Sequence, residues 1–341
     1  MDFTYGLRME IKLFFLFCLA NAIIILYLSF ISWYIFAYTP ILNRRHRSTY
    51  SSVELYDEIE SFGIISNATA SNNEDIYSTV NPFVCQSGGK DVQLVIVIPT
   101  SASRESARMA IRQTWGRYTA RADVSIFFLF GITSSKHFQK IIDKERYMYR
   151  DILQAKFIDT YSNLTLKSIA MLKWVKDYCV EAKYLLKSDD DVFINVPRLL
   201  KFISNNKSKE RAIYGRINKN SKPIRYKQAK HYISHEEYKP RAFPAYANGP
   251  AYLIPGHLVE ELYYSSLNHK IIRLEDVFLT GIVALHLRIQ RIHVDDFRDT
   301  VKTIPCFVQT SICIHGVTES KQFDYWKEIF HGKKKCTTVR Y

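Results

Sequence analysis

Short apolar segments alternate with amphipathic ones along the middle of the chain. Four of the apolar segments are rich in β-branched or aromatic residues, as buried strands are: 92–98, 124–130, 156–159 and 184–187. Three segments carry apolar residues at helical spacing: 104–115, 135–149 and 164–179. Repeated alternation of strand and helix predicts an α/β fold with a mostly parallel central sheet.

The N-terminal region predicts a membrane anchor. Residues 13–38 are 26 consecutive uncharged positions, which as a helix would span about 39 Å against the roughly 30 Å hydrocarbon core. Aromatic residues close this segment, whereas a cleaved signal peptide has a shorter apolar region and small residues at its exit. We therefore expect a tail over 1–12, a transmembrane signal-anchor over 13–38, a Ser- and Asn-rich stem over 39–90, and a folded body over 91–341.

The orientation of this anchor is left open by the charges alone. Arg8 and Lys12 precede the span, while Arg44, Arg45 and Arg47 follow it, and the positive-inside rule weakly favours the C-terminal side as cytoplasmic. Three glycosylation sequons point the other way, to a lumenal body: Asn67, Asn163 and Asn206. The five cysteines after the span allow at most two disulfides and one further thiol, and spacing does not reveal the pairing.

The excess of basic residues calls for an anionic partner. The net charge is +14, from 47 Lys and Arg against 33 Asp and Glu. The basic residues are dispersed and no nucleic-acid motif is present, so nucleic acid is not the expected partner. The aromatic content of 14% excludes a disordered chain. The charge thus favours anionic substrates or surfaces.

Three consecutive carboxylates, Asp189, Asp190 and Asp191, form the strongest chemical signal. They follow an apolar strand, and the carboxyl edge of a parallel sheet is where α/β folds bind ligands. Adjacent carboxylates repel one another unless a cation compensates them, and oxygen ligands favour Mg²⁺ or Mn²⁺, which commonly bridge to phosphates. A solvated acidic turn is the simpler alternative, but the hydrophobic residues on both sides disfavour it.

Other candidate residues are ambiguous when each is taken alone. Glu275 and Asp276 begin an apolar helical run, where an acid can be a helix cap or a general base. Arg104, Arg108 and Arg112 recur every fourth residue and could face a diphosphate or solvent. The remaining candidates are a lone histidine and a segment that alternates aromatic residues with turn formers, either of which could be structural: His315 and residues 243–252.

Six motifs occur in the order found in the β1,3-galactosyltransferase family, which also includes β1,3-N-acetylglucosaminyltransferases. They lie at 108–116, 128–131, 159–167, 186–195, 214–215 and 275–277. The resemblance runs from about residue 93 to residue 326. It implies a GT-A fold in a Golgi type II membrane protein with a lumenal catalytic domain. Such an enzyme transfers a hexose from UDP-galactose or UDP-N-acetylglucosamine to a hydroxyl of a glycoprotein or glycolipid glycan in β1,3 linkage, with inversion.

Site residues follow from the same resemblance. Asp276 matches the base that deprotonates the acceptor hydroxyl. Asp191, Asp189 and His315 match the Mn²⁺ ligands. Residues near the donor are Arg108, Arg112, Lys187, Asp189 and Asp190, and residues near the acceptor are Tyr246, Gly249, Tyr252 and Glu275.

The sequence departs from the family pattern on the acceptor side. Gly281 comes later after Glu275–Val277 than is usual, and Phe243 stands where the family has tyrosine before proline. The acceptor and the linkage are therefore less well defined by the sequence than the donor chemistry. The donor sugar is open between galactose and N-acetylglucosamine, and the acceptor between a glycolipid, an N-glycan, an O-glycan and a proteoglycan linker. A binding-only relative and a metal-dependent phosphohydrolase are the competing readings, and intact Asp191 and Asp276 argue against the first.

Overall fold

The structure is a computed structural model that describes residues 77–79, 85–205, 211–304 and 306–331. All of these residues belong to one compact unit, 69–341. The predicted anchor over 13–38 lies outside the described residues, as do Asn67 and Asn206. Within the described ranges, no helix has the length and apolar character needed to cross a membrane.

The described residues form strands and helices that alternate through most of the body. The strands are β1 (Tyr77–Thr79), β2 (Leu94–Pro99), β3 (Val124–Ile132), β4 (Ile152–Ile158), β5 (Tyr184–Ser188), β6 (Val192–Ile194), β7 (Ala212–Asn218), β8 (Tyr246–Pro255), β9 (Gln290–His293), β10 (Phe297–Arg298) and β11 (Cys313–His315). The helices are α1 (Glu105–Gln113), α2 (Lys136–Tyr149), α3 (Leu164–Tyr178), α4 (Val196–Asn205), α5 (Val259–Leu267), α6 (Ala284–His286), α7 (Phe307–Thr310) and α8 (Glu319–His331). A π-helical segment, Val277–Val283, precedes α6.

The central sheet is mixed, with a parallel half that carries the candidate site. Its strand order is β1-β4-β3-β2-β5-β8-β7-β9. Strands β4, β3, β2 and β5 are parallel, as are β7 and β9, while β8 runs antiparallel to both of its neighbours and β1 to β4. The predicted α/β architecture with a mostly parallel sheet is confirmed, since four of the seven pairings are parallel.

Both faces of the sheet are covered at its centre, which explains why β2 and β3 are predominantly apolar. In β2, Leu94, Ile96 and Ile98 pack on one face with residues of α1, α2 and α4, and Val95 and Val97 pack on the other with residues of α3 and α5. A strand buried on both faces has no polar alternation. This is why the apolar runs at 92–98 and 124–130 predict their strands correctly.

The boundaries differ from the predicted ones where local contacts intervene. β4 begins at Ile152, four residues before the predicted weak strand. Helix α1 ends at Gln113, and Gly116 lies in a following 3₁₀ turn rather than at the helix cap. A side chain at Gly116 would place its Cβ 2.6 Å from the Ile111 carbonyl oxygen, so close backbone approach explains this glycine.

Part of the predicted stem contacts the body. β1 pairs antiparallel with β4, and Cys85 is bonded to Cys179 at the end of α3. Cys306 is also disulfide-bonded, while Cys313 is a buried free thiol in the described part of the chain. This agrees with the limit of two bridges set by five cysteines, and the boundary at residue 90 stays a prediction.

Arg108 and Arg112, predicted to bind the donor, lie in the interface between α1 and α2. Arg108 has no exposed surface and pairs with Glu145 at 2.5 Å, and it also donates to the backbone carbonyls of Ser101 and Ala102. Arg112 pairs with Glu145 at 2.7 Å and with Asp151 at 2.8 Å. Both guanidinium groups are thus occupied by protein partners, and their role at the donor stays a prediction.

The disulfide between Cys85 and Cys179 closes a loop with a sequence separation of 94 residues. Replacing both cysteines with alanine should lower the free energy of unfolding by about 2–5 kcal/mol, because the crosslink restricts the unfolded chain. Denaturant unfolding of the oxidised protein and the variant measures this. Replacing the unpaired Cys313 with alanine is the control for the loss of a thiol. Equal stability of the double variant and the oxidised protein would contradict the expectation.

Replacing Arg108 with methionine tests the structural role of its ion pair. We expect destabilisation on the order of 3 kcal/mol, because Glu145 keeps a buried charge with one fewer partner. The UDP affinity of the folded variant should not change. Arg117→Met, at an exposed arginine on the next turn, is the control. Normal stability with weakened UDP binding would instead assign Arg108 to the donor.

Candidate active site

The carboxyl ends of the parallel strands converge on one edge of the sheet. Thr100 follows β2, Asp159 follows β4, and Asp189–Asp191 follow β5. Lys167, on α3, bridges two of these ends: its Nζ lies 2.7 Å from Asp159 Oδ1 and donates to the Thr100 carbonyl at 2.6 Å. Burial lowers the pKa of Lys167 although Asp159 opposes the shift. The strand ends are therefore fixed relative to one another by a buried cation.

Asp190 is held against the end of β2. It accepts a hydrogen bond from the Thr100 hydroxyl at 2.6 Å, and Arg104 Nη2 donates to it at 3.0 Å. Arg104 is partly exposed, and its pKa is raised by the bond to Asp190. Asp190, the middle carboxylate of the acidic run, is therefore held by Thr100 and Arg104, whereas Asp189 and Asp191 have other partners.

Lys187 joins the acidic run to the second acidic pair. This buried ammonium group lies 2.5 Å from Asp189 Oδ1 and 3.1 Å from Glu275 Oε1, and it donates to the Gly249 carbonyl at 2.6 Å. Burial by itself would lower the pKa of Lys187, but the two carboxylates outweigh it and raise the pKa. Lys187 is therefore a fixed positive charge between the two acidic motifs.

A second, smaller sheet brings His315 to Asp191. Its order is β10-β11-β6, and β6 directly follows the acidic run. The antiparallel register of β11 and β6 sets His315 opposite Val192, and His315 Nε2 lies 3.5 Å from Asp191 Oδ2. Asp191 raises the pKa of His315; burial would raise the pKa of Asp191, but His315 and then Arg104 hold it below its usual value.

Asp189, Asp191 and His315 form a group whose ligand atoms all lie within 4.8 Å of one another. Two carboxylates with one imidazole suit Mn²⁺, since carboxylate oxygens favour hard cations and imidazole nitrogen favours transition metals. The group lies at the open edge of the sheet, and Asp191 and Asp189 are each about 39% exposed. The residues therefore fit a divalent cation.

Asp276 lies at the start of the π-helical segment, against the first residues of β8. Its Oδ1 accepts from the Val277 amide at 2.8 Å and its Oδ2 from the Gly249 amide at 3.1 Å. Burial, and then the adjacent Glu275 carboxylate, raise its pKa to about 7. A carboxylate with that pKa is suited to accept a proton near neutral pH.

Glu275 is a buried carboxylate with its partners all in place. Its Oε2 accepts from the Ser168 hydroxyl at 2.8 Å and from the Tyr252 hydroxyl at 3.0 Å, and its Oε1 pairs with Lys187. Glu275 is enclosed by protein groups and is adjacent to Asp276 in the chain, so it contributes to the environment of the Asp276 carboxylate. Tyr252, predicted near the acceptor, is fully buried in the same network.

The remaining predicted residues divide between the cleft and the protein interior. Gly249 adjoins Asp276, and a Cβ at this position would lie 3.3 Å from Asp276 Oδ2. Tyr246 is partly exposed. Burial, with a smaller contribution from the nearby Asp276 carboxylate, raises the pKa of Tyr246. The Asn163 amide donates to the Ile158 carbonyl at 2.8 Å, and Thr165 of that sequon is buried. Glycosylation at Asn163 stays a prediction.

Several residues that complete the site are not among those predicted from the sequence. Thr100, Lys167 and Ser168 hold Asp190, Asp159 and Glu275, respectively. Only the family motif at 159–167 covered one of them, because a serine or threonine hydroxyl carries no distinctive spacing. The signal that could have identified them is their position at or opposite the carboxyl ends of parallel strands.

A family model described as galactosyltransferase matches residues 106–295, more than half of the chain. The chain is 31% identical over 265 residues to UDP-GlcNAc:betaGal beta-1,3-N-acetylglucosaminyltransferase 7 of Rattus norvegicus, covering 72% of this chain and 66% of that relative. It is 32% identical over 252 residues to beta-1,3-galactosyltransferase 5 of Homo sapiens, covering 72% and 81%, respectively. The chain thus spans about two thirds of the rat relative's length.

Two solved structures are distantly similar. One is a glycosyltransferase involved in the glycosylation of the major capsid of PBCV-1, at 11% identity and a TM-score of 0.38, covering 69% of this chain and 98% of that one. The other is the galactosyltransferase LgtC in complex with donor and acceptor sugar analogs, at 9% identity and a TM-score of 0.37, covering 69% and 95%. On the family model and the sequence relatives, the chain belongs to the galactosyltransferase family of UDP-sugar-dependent hexosyltransferases.

Proposed function

We propose that this protein is an inverting, Mn²⁺-dependent glycosyltransferase that moves galactose from UDP-galactose to a glycan hydroxyl in β1,3 linkage. One observation carries the proposal: a group able to hold a cation and a carboxylate with a pKa of about 7 share one edge of the sheet, linked through Lys187 and Glu275. The catalytic domain would have the GT-A fold that the family resemblance implies.

The chemistry requires stabilisation of a leaving diphosphate and removal of one proton. Asp189, Asp191 and His315 would hold the metal, which when bound neutralises negative charge on the departing UDP. Asp276 accepts the proton of the acceptor hydroxyl as that oxygen attacks the sugar on the face opposite UDP. The Val277 and Gly249 amides hold the Asp276 carboxylate in a fixed orientation for this transfer.

The donor-side residues support the same division of labour. Arg104, the partly exposed residue at the N-cap of α1, is bonded to Asp190. It is better placed to contact a diphosphate than Arg108, which is enclosed. Burial raises the pKa of Asp189, and the Lys187 ammonium group opposes this shift. Asp190 is fixed by Thr100 and Arg104 and offers its remaining acceptor capacity to the nucleotide sugar.

UDP-N-acetylglucosamine should be tested as a donor alongside UDP-galactose. The rat relative is named for N-acetylglucosamine transfer and the human relative for galactose transfer, at 31% and 32% identity. N-acetylglucosamine is therefore the alternative sugar, and a sugar-binding protein without activity is the further alternative. We also propose a Golgi membrane location as a type II protein, on the basis of the apolar segment over 13–38.

Transfer can be tested with the full-length protein in detergent, Mn²⁺ and a panel of UDP-sugars. We expect one donor to give UDP release that increases when a β-linked acceptor is added. Asp276→Asn should lower this rate by roughly 10²–10⁴-fold, the size of a lost general base, with unchanged UDP affinity. UDP release at the same rate with and without the acceptor would identify a hydrolase. No UDP release despite metal-dependent UDP binding would favour the binding-only relative.

Metal dependence is a separate expectation. Asp191→Asn should abolish the part of the UDP affinity that depends on Mn²⁺, because it removes one of the proposed ligands. Titration of UDP with Mn²⁺ and with EDTA measures the difference. Asp295→Asn, at an exposed carboxylate outside the group, is the matched control. Equal UDP affinity with and without metal in the unmodified protein would rule out the metal assignment.

The pH dependence should report Asp276. Because the base acts when deprotonated and its pKa is about 7, kcat/KM should rise as pH increases through this value. Glu275→Gln removes a neighbouring negative charge that raises this pKa, so the rise should move to lower pH. Tyr252→Phe removes a hydrogen bond to Glu275 without changing any charge, and its profile should stay close to that of the unmodified protein. An unshifted profile in Glu275→Gln would contradict this account.

A further inference from the structure

The segment between β7 and β8 carries a concentration of positive charge that the proposed chemistry does not use. We call residues 219–245 the basic loop. It contains seven lysines and arginines and two glutamates. Six of the cations are exposed: Lys219, Lys222, Lys227, Lys230, Lys239 and Arg241. A third of the chain's net charge therefore lies in 27 residues.

The seventh cation, Arg225, gives the loop a defined structure. Its guanidinium group donates to the carbonyls of Ile233 at 2.9 Å, Ser234 at 2.7 Å and Tyr238 at 2.7 Å. Ile233 and Phe243 are buried in the core beneath it. Arg225 therefore fixes the conformation of the basic loop, on which the other six cations are exposed to solvent.

The charge of the basic loop is not balanced by neighbouring acids. Glu237 pairs with Arg273, outside the loop, at 3.2 Å. Other ion pairs lie near the basic loop in the described part of the chain. None of them includes an exposed lysine of the loop. Unpaired like charges repel one another, and an arrangement of this kind is stabilised by an anionic ligand.

The loop lies beside the proposed base. It leads directly into β8, where Gly249 donates to Asp276. Lys230 Nζ is 5.6 Å from the ring centroid of Tyr161. The Tyr161 pKa is raised by burial and then by Asp276 and Asp189, so this ring is within electrostatic reach of both acidic motifs. Tyr161 follows the end of β4 by three residues, at the carboxyl edge of the sheet that carries the candidate site, so one cation of the loop lies near this edge.

Exposed apolar groups accompany these cations. Tyr161, Tyr226 and Ile224 are 53%, 66% and 44% exposed, respectively. Large apolar side chains clustered on a rim beside polar groups mark binding surfaces. Aromatic rings with adjacent cations suit a sugar that presents an apolar ring face and a negatively charged substituent.

On the basis of the proposed function, we propose that the acceptor is an acidic glycan, whose carboxylate or sulfate groups are bound by the basic loop. The UDP donor does not account for the loop, because the group that would hold its diphosphate lies at Asp189, Asp191 and His315. An anionic lipid surface is the other possible partner. The glycan is favoured because Lys230 faces Tyr161 next to the acidic motifs rather than a remote face of the protein.

Binding of matched oligosaccharides to the full-length protein tests this proposal without requiring turnover. With UDP and Mn²⁺ present, calorimetry would compare a hyaluronan tetrasaccharide with neutral chitotetraose, and 6-sulfated N-acetyllactosamine with its unsulfated form. We expect the acidic member of at least one pair to bind about tenfold more tightly, a difference of about 1.4 kcal/mol. The preference should decrease as salt increases, because exposed charges are screened. The first pair reports carboxylates and the second reports sulfate.

A matched pair of variants locates the effect. Lys227→Gln with Lys230→Gln should remove the preference for the acidic member and leave UDP affinity unchanged. Lys90→Gln with Lys183→Gln removes the same charge from exposed positions at the amino edge of the sheet, and it should leave the preference intact. A loop variant that loses UDP affinity instead would overturn the proposal and assign the loop to the donor.

Two further outcomes would be decisive. Equal binding of acidic and neutral members would overturn the proposal, and loop-dependent stimulation of turnover by phosphatidylserine in nanodiscs would then assign the loop to the membrane surface. Tight binding of the acidic member without transfer from any UDP-sugar would support acidic-glycan recognition while overturning the proposed catalysis. The two proposals therefore fail in distinguishable ways.

Discussion

The buried ammonium group of Lys187 is the interaction on which the site depends. It lies between Asp189 at the end of β5 and Glu275 before the π-helical segment, and it also holds the Gly249 carbonyl of β8. A buried charge is costly without partners and an ion pair that loses one member is strongly destabilised, so all three elements must assemble together. This places Asp189, a proposed cation ligand, and the proposed base at a fixed separation.

The environment of Asp276 follows from this arrangement. Lys187, Ser168 and Tyr252 bind the Glu275 carboxylate, and burial together with this adjacent carboxylate raises the pKa of Asp276 to about 7. Two adjacent carboxylates thus differ in their surroundings, because Glu275 is bound by side-chain donors and Asp276 by the backbone amides of Val277 and Gly249. The same principle separates Asp190, which is neutralised by Arg104 and Thr100, from its neighbours Asp189 and Asp191.

The arginines of α1 illustrate how far helical spacing can predict a side chain's role. Arg104, Arg108 and Arg112 recur every fourth residue, but Arg104 is the N-cap of the helix and only the other two lie within it. Arg104 reaches Asp190 at the strand edge, whereas Arg108 and Arg112 meet Glu145 and Asp151 from α2 and its end. The sequence shows the spacing of the cations, and only the packing of α2 determines which of them are enclosed.

The sequence by itself determined the α/β class, the four parallel strands β2, β3, β4 and β5, and the choice of Asp189–Asp191 and Glu275–Asp276 as candidate site residues, because apolar runs buried on both faces and clustered carboxylates leave local patterns. It could not determine that β8 runs antiparallel in the sheet, that Cys85 pairs with Cys179, or that β11 sets His315 opposite Val192. Nor could it distinguish the enclosed Arg108 from Arg104. These features depend on contacts between residues distant in sequence, which only the tertiary structure decides.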